Sequence, residues 1–463
     1  MSAEAAGWPD GPLLTYYGDD FTGSTDAMEA LTAAGVPTVL FLSMPDAAWL
    51  SRFPHARAIG LAGSSRGRSP EWMDRELPAL FSGLARHGAP ILHYKVCSTF
   101  DSSPEIGSIG RAIDIGVRVM KGRWSPMIVG APRLKRYQAF GTLFAAVDGH
   151  GHRLDRHPTM SRHPVTPMRE ADLSRHLAEQ TDRRIALIDF VALKGGAGPQ
   201  RRAALQGDDV PVVLIDVLDE DTLIEAGRLI WEGRGEGVFT ASSSGLQYAL
   251  AAYWRSEGLL PEAHALPPLA PVPVVAAVSG SCSPVTTAQL ARAREAGFLT
   301  ERLDLARALP EATREGEIAR VTARASDAIR DGLSPIVFSA EGPDDPAVTG
   351  FDALAARAGL SRSDAARRVG AALAEVMRRI IAGTAVRRVA VAGGDSSGDV
   401  MGALGVRALE VAAGLCPGAP LCRASADDPA YDGLEIVLKG GQMGDADFFP
   451  LLRAGAQMSG SGR

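Results

Sequence analysis

Val389-Ala390-Val391-Ala392-Gly393-Gly394-Asp395-Ser396-Ser397-Gly398 is an apolar run that breaks into glycines, an acid and two serines. Such a run reads as a buried strand, and the small residues as the turn leading out of it. The pattern recurs twice. Val274–Val278 runs into Ser279-Gly280-Ser281-Cys282-Ser283, and Leu434–Leu438 into Lys439-Gly440-Gly441-Gln442-Met443-Gly444. The loops at 279–283 and 393–398 continue into helix-like patterns. Strand, glycine turn and helix together make the repeating unit of a parallel α/β sheet. At such turns backbone N–H groups and a helix N-terminus can hold an oxyanion. One glycine turn is ordinary structural punctuation. Three point to a polyphosphate, and so to a nucleotide.

Upstream, Leu13–Tyr17, Thr38–Leu42, Ala58–Leu61, Ile91–Tyr94, Met127–Val129, Ile185–Ile188 and Val212–Ile215 are short apolar runs with room for helices between them; Thr25–Ala34 reads as the first of these helices. This rhythm predicts a second α/β domain whose ligands sit just beyond the strand ends. Between the two lies a stretch, 259–273, with five prolines in fifteen residues, which can neither continue a helix nor sit in a central strand. We therefore expect two domains, each a mostly parallel sheet flanked by helices, with residues 1–258 and 274–463 joined by a linker over 259–273. The active site is expected in the cleft between them.

The bulk numbers exclude several classes. At 463 residues the chain is too long for one ordinary core, and 46% hydrophobic with 22% charged residues suits a globular enzyme. A net charge of −6 argues against a nucleic-acid partner, so any anion must be held by local loops and dipoles. No apolar run reaches the roughly 18 residues of a membrane helix. The N-terminus carries no signal-peptide pattern, and four cysteines without CxxC spacing make no disulfide framework. These readings place the protein in the cytoplasm, without a membrane partner and compatible with a homo-oligomer.

Two polar stretches in the first half stand where substrate chemistry is expected. Gly18-Asp19-Asp20-Phe21-Thr22-Gly23-Ser24-Thr25-Asp26 follows the first strand. Ser24 or Thr25 would cap a helix and Asp26 would complement its dipole, but this leaves Asp19 and Asp20 unexplained. Lys95-Val96-Cys97-Ser98-Thr99-Phe100-Asp101-Ser102-Ser103 follows the run Ile91–Tyr94. Its lysine could pair with a carboxylate while Ser98, Thr99 and Asp101 meet sugar hydroxyls. The plainer alternative is a polar loop capping a helix from about Glu105. Thr240–Gly245 is either a further ligand loop or a capped helix start. His150, His152, His157 and His163 crowd 148–164, but their spacing matches no zinc pattern and no metal site is expected from them. Arg156, Arg162 and His163 remain candidates for holding a carboxylate. Cys97 and Cys282 read as small packing residues.

Gly18–Gly23 with Asp26, Lys95 with Ser98-Thr99, Val278–Ser281, Ala392–Gly398 and Lys439-Gly440-Gly441 together resemble the four-carbon acid sugar kinase family, in order and across nearly the whole chain. The resemblance implies an N-terminal domain for a short sugar acid and a C-terminal domain for ATP, with Mg²⁺. Asp19, Asp20, Lys95, Ser98, Thr99, Asp101, Arg162 and His163 would then line the sugar-acid site. Ser279, Gly280, Ser281, Gly393, Gly394, Asp395, Ser396, Gly440 and Gly441 would line the nucleotide site, with Asp20 or Asp395 as the catalytic base. One departure is visible. Family members commonly carry Lys-x-Asp-Ser-Thr-Leu-Arg-Gly at the second loop, whereas here Cys97 replaces the aspartate and Asp101 the arginine. Exchanging a cation for an anion changes which oxygen pattern is recognised. With 157–168, this loop looks more like the branch acting on 3-oxo-isoapionate than like threonate, erythronate or 3-oxo-tetronate kinases.

No GxxxxGK[ST] pattern occurs at the three loops, so a P-loop kinase is not expected. A dinucleotide-dependent dehydrogenase would need GxGxxG after the first strand, and 18–23 lacks the central glycine. A non-catalytic sugar-acid sensor is the remaining alternative, but no basic patch or DNA-reading helix pair supports it.

Overall fold

The computed structural model describes residues 8–147, 149–162, 166–262 and 265–455. They form two compact units that divide between Ala265 and Leu266.

In the N-terminal unit the strands are β1 (Leu14–Gly18), β2 (Thr38–Phe41), β3 (Ala58–Ala62), β4 (Ile91–Lys95), β5 (Ser125–Met127), β6 (Arg136–Ala139), β7 (Thr142–Val147), β8 (His150–Arg153), β9 (Ile185–Ile188), β10 (Val212–Ile215) and β11 (Val238–Ser242). Five of them make one parallel sheet in the order β11-β4-β1-β3-β2. Helices lie between consecutive strands, which explains why β1, β2, β4 and β11 are buried along their whole length. Tyr17, Phe81, Tyr94 and Phe239 pack ring against ring on this sheet at centroid separations of 5.3–6.0 Å. Each such pair adds about 0.5–1.5 kcal/mol beyond its buried area. The strand order reverses at β1. The loops after β1, β3 and β4 are therefore neighbours at the switch point where open α/β sheets bind ligands.

A second parallel sheet, β5-β10-β9, is laced to the first by hydrogen bonds: Ser125 Oγ donates to Phe239 O at 2.9 Å, and Ile128 N–H to Ser242 Oγ at 2.9 Å. The third, β6-β7-β8, is an antiparallel meander that the strand pattern did not announce. Its last strand takes up the first part of the histidine-rich stretch 148–164. The fifth strand begins at Ser125, two residues earlier than its apolar run suggests.

In the C-terminal unit, β12 (Ala276–Ser279), β13 (Leu299–Arg302), β14 (Pro335–Phe338), β15 (Arg388–Ala392), β16 (Val406–Cys416), β17 (Ala419–Ala426) and β18 (Glu435–Lys439) follow in sequence. Their sheet order is β16-β17-β18-β15-β12-β14-β13. From β18 to β13 all pairings are parallel, and β16 and β17 extend the sheet in antiparallel fashion. Val275, Ala277, Leu290, Phe298, Ile336 and Phe449 lie in one buried cluster of this unit. Among the described residues no helix is long and apolar enough to cross a membrane.

Candidate functional site

At the switch point of the N-terminal sheet the charged groups are already in contact with one another. Asp20 N-caps the helix Phe21–Ala33, its Oδ1 accepting from Gly23 N–H at 2.8 Å. The cap is thus Asp20, rather than Ser24 or Thr25, because the helix starts four residues earlier than its apolar spacing implies. Ser24 instead donates through Oγ to Asp20 O at 2.6 Å. Arg66, from the loop after β3, grips both carboxylates. Its Nη2 lies 2.7 Å from Asp19 Oδ1 and 2.8 Å from Asp20 Oδ1, and its Nη1 2.9 Å from Asp20 Oδ2. Burial pushes the Asp19 carboxyl up to about 6 although Arg66 pulls the other way. For Arg66, burial lowers the pKa, but the two aspartates outweigh it and leave it well above the ordinary arginine value.

Lys95 ends β4 with only 2% of its surface exposed. Expected to meet a substrate carboxylate, its ammonium already meets Asp26 at 3.2 Å and donates to Val96 O at 3.1 Å. Asp26 therefore does more than complement a helix dipole. In the following loop Cys97 Sγ and Thr99 Oγ1 share a hydrogen bond of 2.9 Å, and burial first, then Asp101, pushes the thiol up to about 11. The thiol stays neutral at physiological pH. Ser98 is half-buried, and Asp101 is buried with its Oδ1 lacking a hydrogen-bond partner. Phe100 between them adopts φ +57, a left-handed conformation that costs a bulky residue on the order of 1–3 kcal/mol. The helix after this loop begins at Ile109 on a Ser108 cap, not near Glu105.

Asp19, Asp20, Lys95 and the 97–101 loop thus gather at neighbouring strand ends. Arg162 does not join them. It is exposed in a short turn, Met160–Arg162, and makes no hydrogen bond or ion pair with those loops among the described residues. His163 lies outside the described residues. Of the other histidines, His150 and His152 sit on β8, and His157 is buried with its Nδ1 accepting from Thr159 and Met160 N–H. The Thr240–Gly245 stretch ends β11 and starts the helix Gly245–Ser256, with Ser243 Oγ held by Val129 O at 2.7 Å.

Arg66 escaped sequence reading. It stands in Gly63-Ser64-Ser65-Arg66-Gly67, directly after an apolar run, so the strand-end rule reached it. The loop's serines and glycines, however, resemble plain turn composition.

In the C-terminal unit the three glycine loops leave adjacent parallel strands. Gly280 N–H donates to Ala392 O and Gly393 N–H to Lys439 O, both at 2.9 Å. Thr286 Oγ1 joins the first and third loops, donating toward Ser281 Oγ at 3.0 Å and Gly441 O at 3.1 Å. The glycines are there because a side chain has no room. A Cβ on Gly280 would lie 2.2 Å from Ser396 Oγ, and one on Gly441 2.7 Å from Ser281 Oγ. Gly393 has φ +126, which side-chain-bearing residues rarely adopt. The helix Gly394–Ala403 starts on Gly393 without a side-chain cap, so its first N–H groups receive no side chain there. Gly394 is exposed at its start; Ser279, Ser281 and Ser396 are buried, and Gly440 and Gly441 half-buried. Asp395 is in the first turn, and its side chain lies outside the described residues. Beside Gly280 and Ser396 opens a cavity of about 190 Å³ whose walls include Leu305, Val348, Phe351 and Val369. An apolar slot next to uncapped N–H groups fits a heterocycle joined to phosphates.

This arrangement agrees with the chain's relatives. Residues 14–250 match the model of a sugar-binding N-terminal domain, and residues 276–449 that of a nucleotide-binding C-terminal domain. The chain belongs to the family of four-carbon acid sugar kinases and is a sugar acid kinase of that class. It is 68% identical over 451 residues to the 3-oxo-isoapionate kinase of Paraburkholderia graminis, covering 97% of this chain and 96% of the relative. A 3-oxo-tetronate kinase of Cupriavidus necator is 32% identical over 95% of this chain and 96% of its own length. A crystal structure from Salmonella typhimurium LT2, provisionally described as a tRNA synthase, matches with TM-score 0.77 at 26% identity, over 94% of this chain and 98% of that one. A Haemophilus influenzae protein shares the fold with TM-score 0.70 at 23% identity, over 95% and 99%.

Proposed function

We propose that the protein transfers the γ-phosphoryl group of ATP to the terminal hydroxyl of 3-oxo-isoapionate. What supports the chemistry is the trio of glycine loops on adjacent strands, packed so closely that a Cβ on Gly280 or Gly441 would collide with a serine of the neighbouring loop. What favours this acceptor is the 68% identity to a kinase of that name, against 32% to a 3-oxo-tetronate kinase.

In this reading Gly280, Ser281, Gly393, Gly394, Ser396, Gly440 and Gly441 hold the phosphates, with Ser279 at their base. Mg²⁺ arriving with the nucleotide would supply positive charge against the developing negative charge on the phosphates that these loops hold. As the acceptor oxygen bonds to the γ-phosphorus, the bridge to the β-phosphate breaks, ADP leaves, and the hydroxyl proton passes to a carboxylate. Both oxygens of Asp20 already accept hydrogen bonds from Gly23 and Arg66, so its part is to hold the acceptor loop. We assign proton acceptance to Asp395, at the start of a helix on the nucleotide side. Asp19, Ser98, Thr99 and Asp101 orient the sugar hydroxyls, and Lys95 braces the loop through Asp26. Transfer requires the acceptor hydroxyl and the γ-phosphorus at reacting distance with water excluded. A supply of ATP places the reaction in the cytoplasm.

The test is ADP release over 3-oxo-isoapionate, 3-oxo-tetronate, threonate and erythronate. The highest kcat/KM is expected with 3-oxo-isoapionate, and an equal or higher value for 3-oxo-tetronate would overturn the choice of acceptor.

A further inference from the structure

Four carboxylates, those of Asp19, Asp20, Asp26 and Asp101, stand around the acceptor loops with two cations, Arg66 and Lys95. Both cations are engaged: Arg66 by Asp19 and Asp20, Lys95 by Asp26. A sugar acid adds one more negative charge, and neither of these groups is free to meet it.

Arg136 is free. It opens β6 and pairs with a segment, 128–131, that is itself bonded to the end of the parallel sheet. Val96 N–H donates to Ser242 O at 2.9 Å, Ile128 N–H to Ser242 Oγ at 2.9 Å, and Ser243 Oγ to Val129 O at 2.7 Å. Two residues further, Ala131 N–H donates to Arg136 O at 2.9 Å and Arg136 N–H back to Ala131 O at 3.2 Å. The antiparallel meander thus places an arginine beside the loop that follows β4. Cys97 of that loop is within electrostatic reach of both Arg136 and Arg66. The Arg136 guanidinium donates through Nη1 alone, to Leu134 O, Lys135 O and Ala146 O at 3.0, 3.3 and 3.4 Å. Its Nε is buried without a hydrogen-bond partner, and no carboxylate pairs with it among the described residues. Burial lowers its pKa. The unused Nε–Nη2 edge is one that can bind a carboxylate through two parallel N–H···O bonds.

We propose that Arg136 receives the substrate's carboxylate and makes the site prefer an acid over a neutral sugar. This rests on reading the N-terminal unit as the sugar-acid site. Calorimetry without ATP, using 3-oxo-isoapionate and its carboxamide as probes, tests it on the full chain. The wild type should bind the acid about tenfold or more tightly than the amide. R136Q should bind both alike, at the amide's level, with ATP affinity unchanged; R136K, which keeps the charge without the planar fork, should fall between. A wild type that binds the two probes equally, or an R136Q that keeps the preference, overturns the proposal. Should R136Q fail to fold, R136K decides: an undiminished preference overturns the proposal and a reduced one supports it. Because this calorimetry uses no ATP, its outcome is independent of phosphoryl transfer: acid that binds here with the predicted preference but is not phosphorylated when ATP is then supplied would sink the kinase reading and leave this one standing.

Discussion

Asp19 carries opposing demands. Buried under Arg66, it holds its proton up to about pH 6. Its folded-state pKa is above the unfolded value near 4, so the native state binds the extra proton over that window. Its contribution to stability is therefore fullest below about pH 4 and declines as pH rises through 6. Activity should run the other way, because only the carboxylate holds Arg66 against the acceptor loop. We expect kcat/KM to fall on the acid side near pH 6, and Asp19→Asn to remove that limb while lowering the plateau. A pH profile whose acid limb is unchanged in Asp19→Asn would detach Asp19 from the limb. Lys95 makes a second case. Truncating one member of a buried pair costs roughly 3–5 kcal/mol because the other charge is stranded. Lys95→Met should lower stability toward that range in urea titrations, and adding Asp26→Asn should recover much of the loss. If the double variant is no more stable than the single one, the pair is not what holds Lys95 in place.

At the scale of elements, the glycine loops depend on their parallel neighbours. Gly393→Ala must force φ +126 on a residue with a side chain, at a cost on the order of 1–3 kcal/mol, and press a Cβ to 3.3 Å from Ser396 Oγ. ATP affinity should drop at least tenfold by calorimetry, with sugar-acid affinity unchanged. Retained ATP affinity would remove this loop from the nucleotide site. These loops were legible because a parallel strand buried on both faces is an unbroken apolar run, and its exit must turn sharply. The antiparallel parts were not. β6, Arg136–Ala139, reads Arg-Tyr-Gln-Ala and β8, His150–Arg153, reads His-Gly-His-Arg, so neither carries an apolar signature. Their pairing is set by β7 and the turns, which composition does not announce. The residue types at 19–20 and 95–101 were readable for the same strand-end reason. Their partners were not, since Arg66 lies 46 positions from Asp20 and meets it only when β3 docks beside β1.

For the whole molecule, a net charge of −6 leaves no general attraction for anionic substrates, so binding must come from the two local sites. Each ligand alone should then slow hydrogen exchange only in its own unit: the sugar acid around 19–26 and 95–101, ATP around 279–283 and 393–398. Protection of both units by a single ligand would contradict independent sites. The central claim is that the two sites together perform one phosphoryl transfer, and label transfer tests it most directly. With ATP carrying ³²P in its γ-phosphoryl group and 3-oxo-isoapionate, the account predicts label in a phosphate monoester of the sugar acid, formed in step with ADP. Asp395→Asn should slow its appearance on the order of a hundredfold or more. Label that stays in ATP, or emerges only as inorganic phosphate whatever acid is supplied, would contradict it.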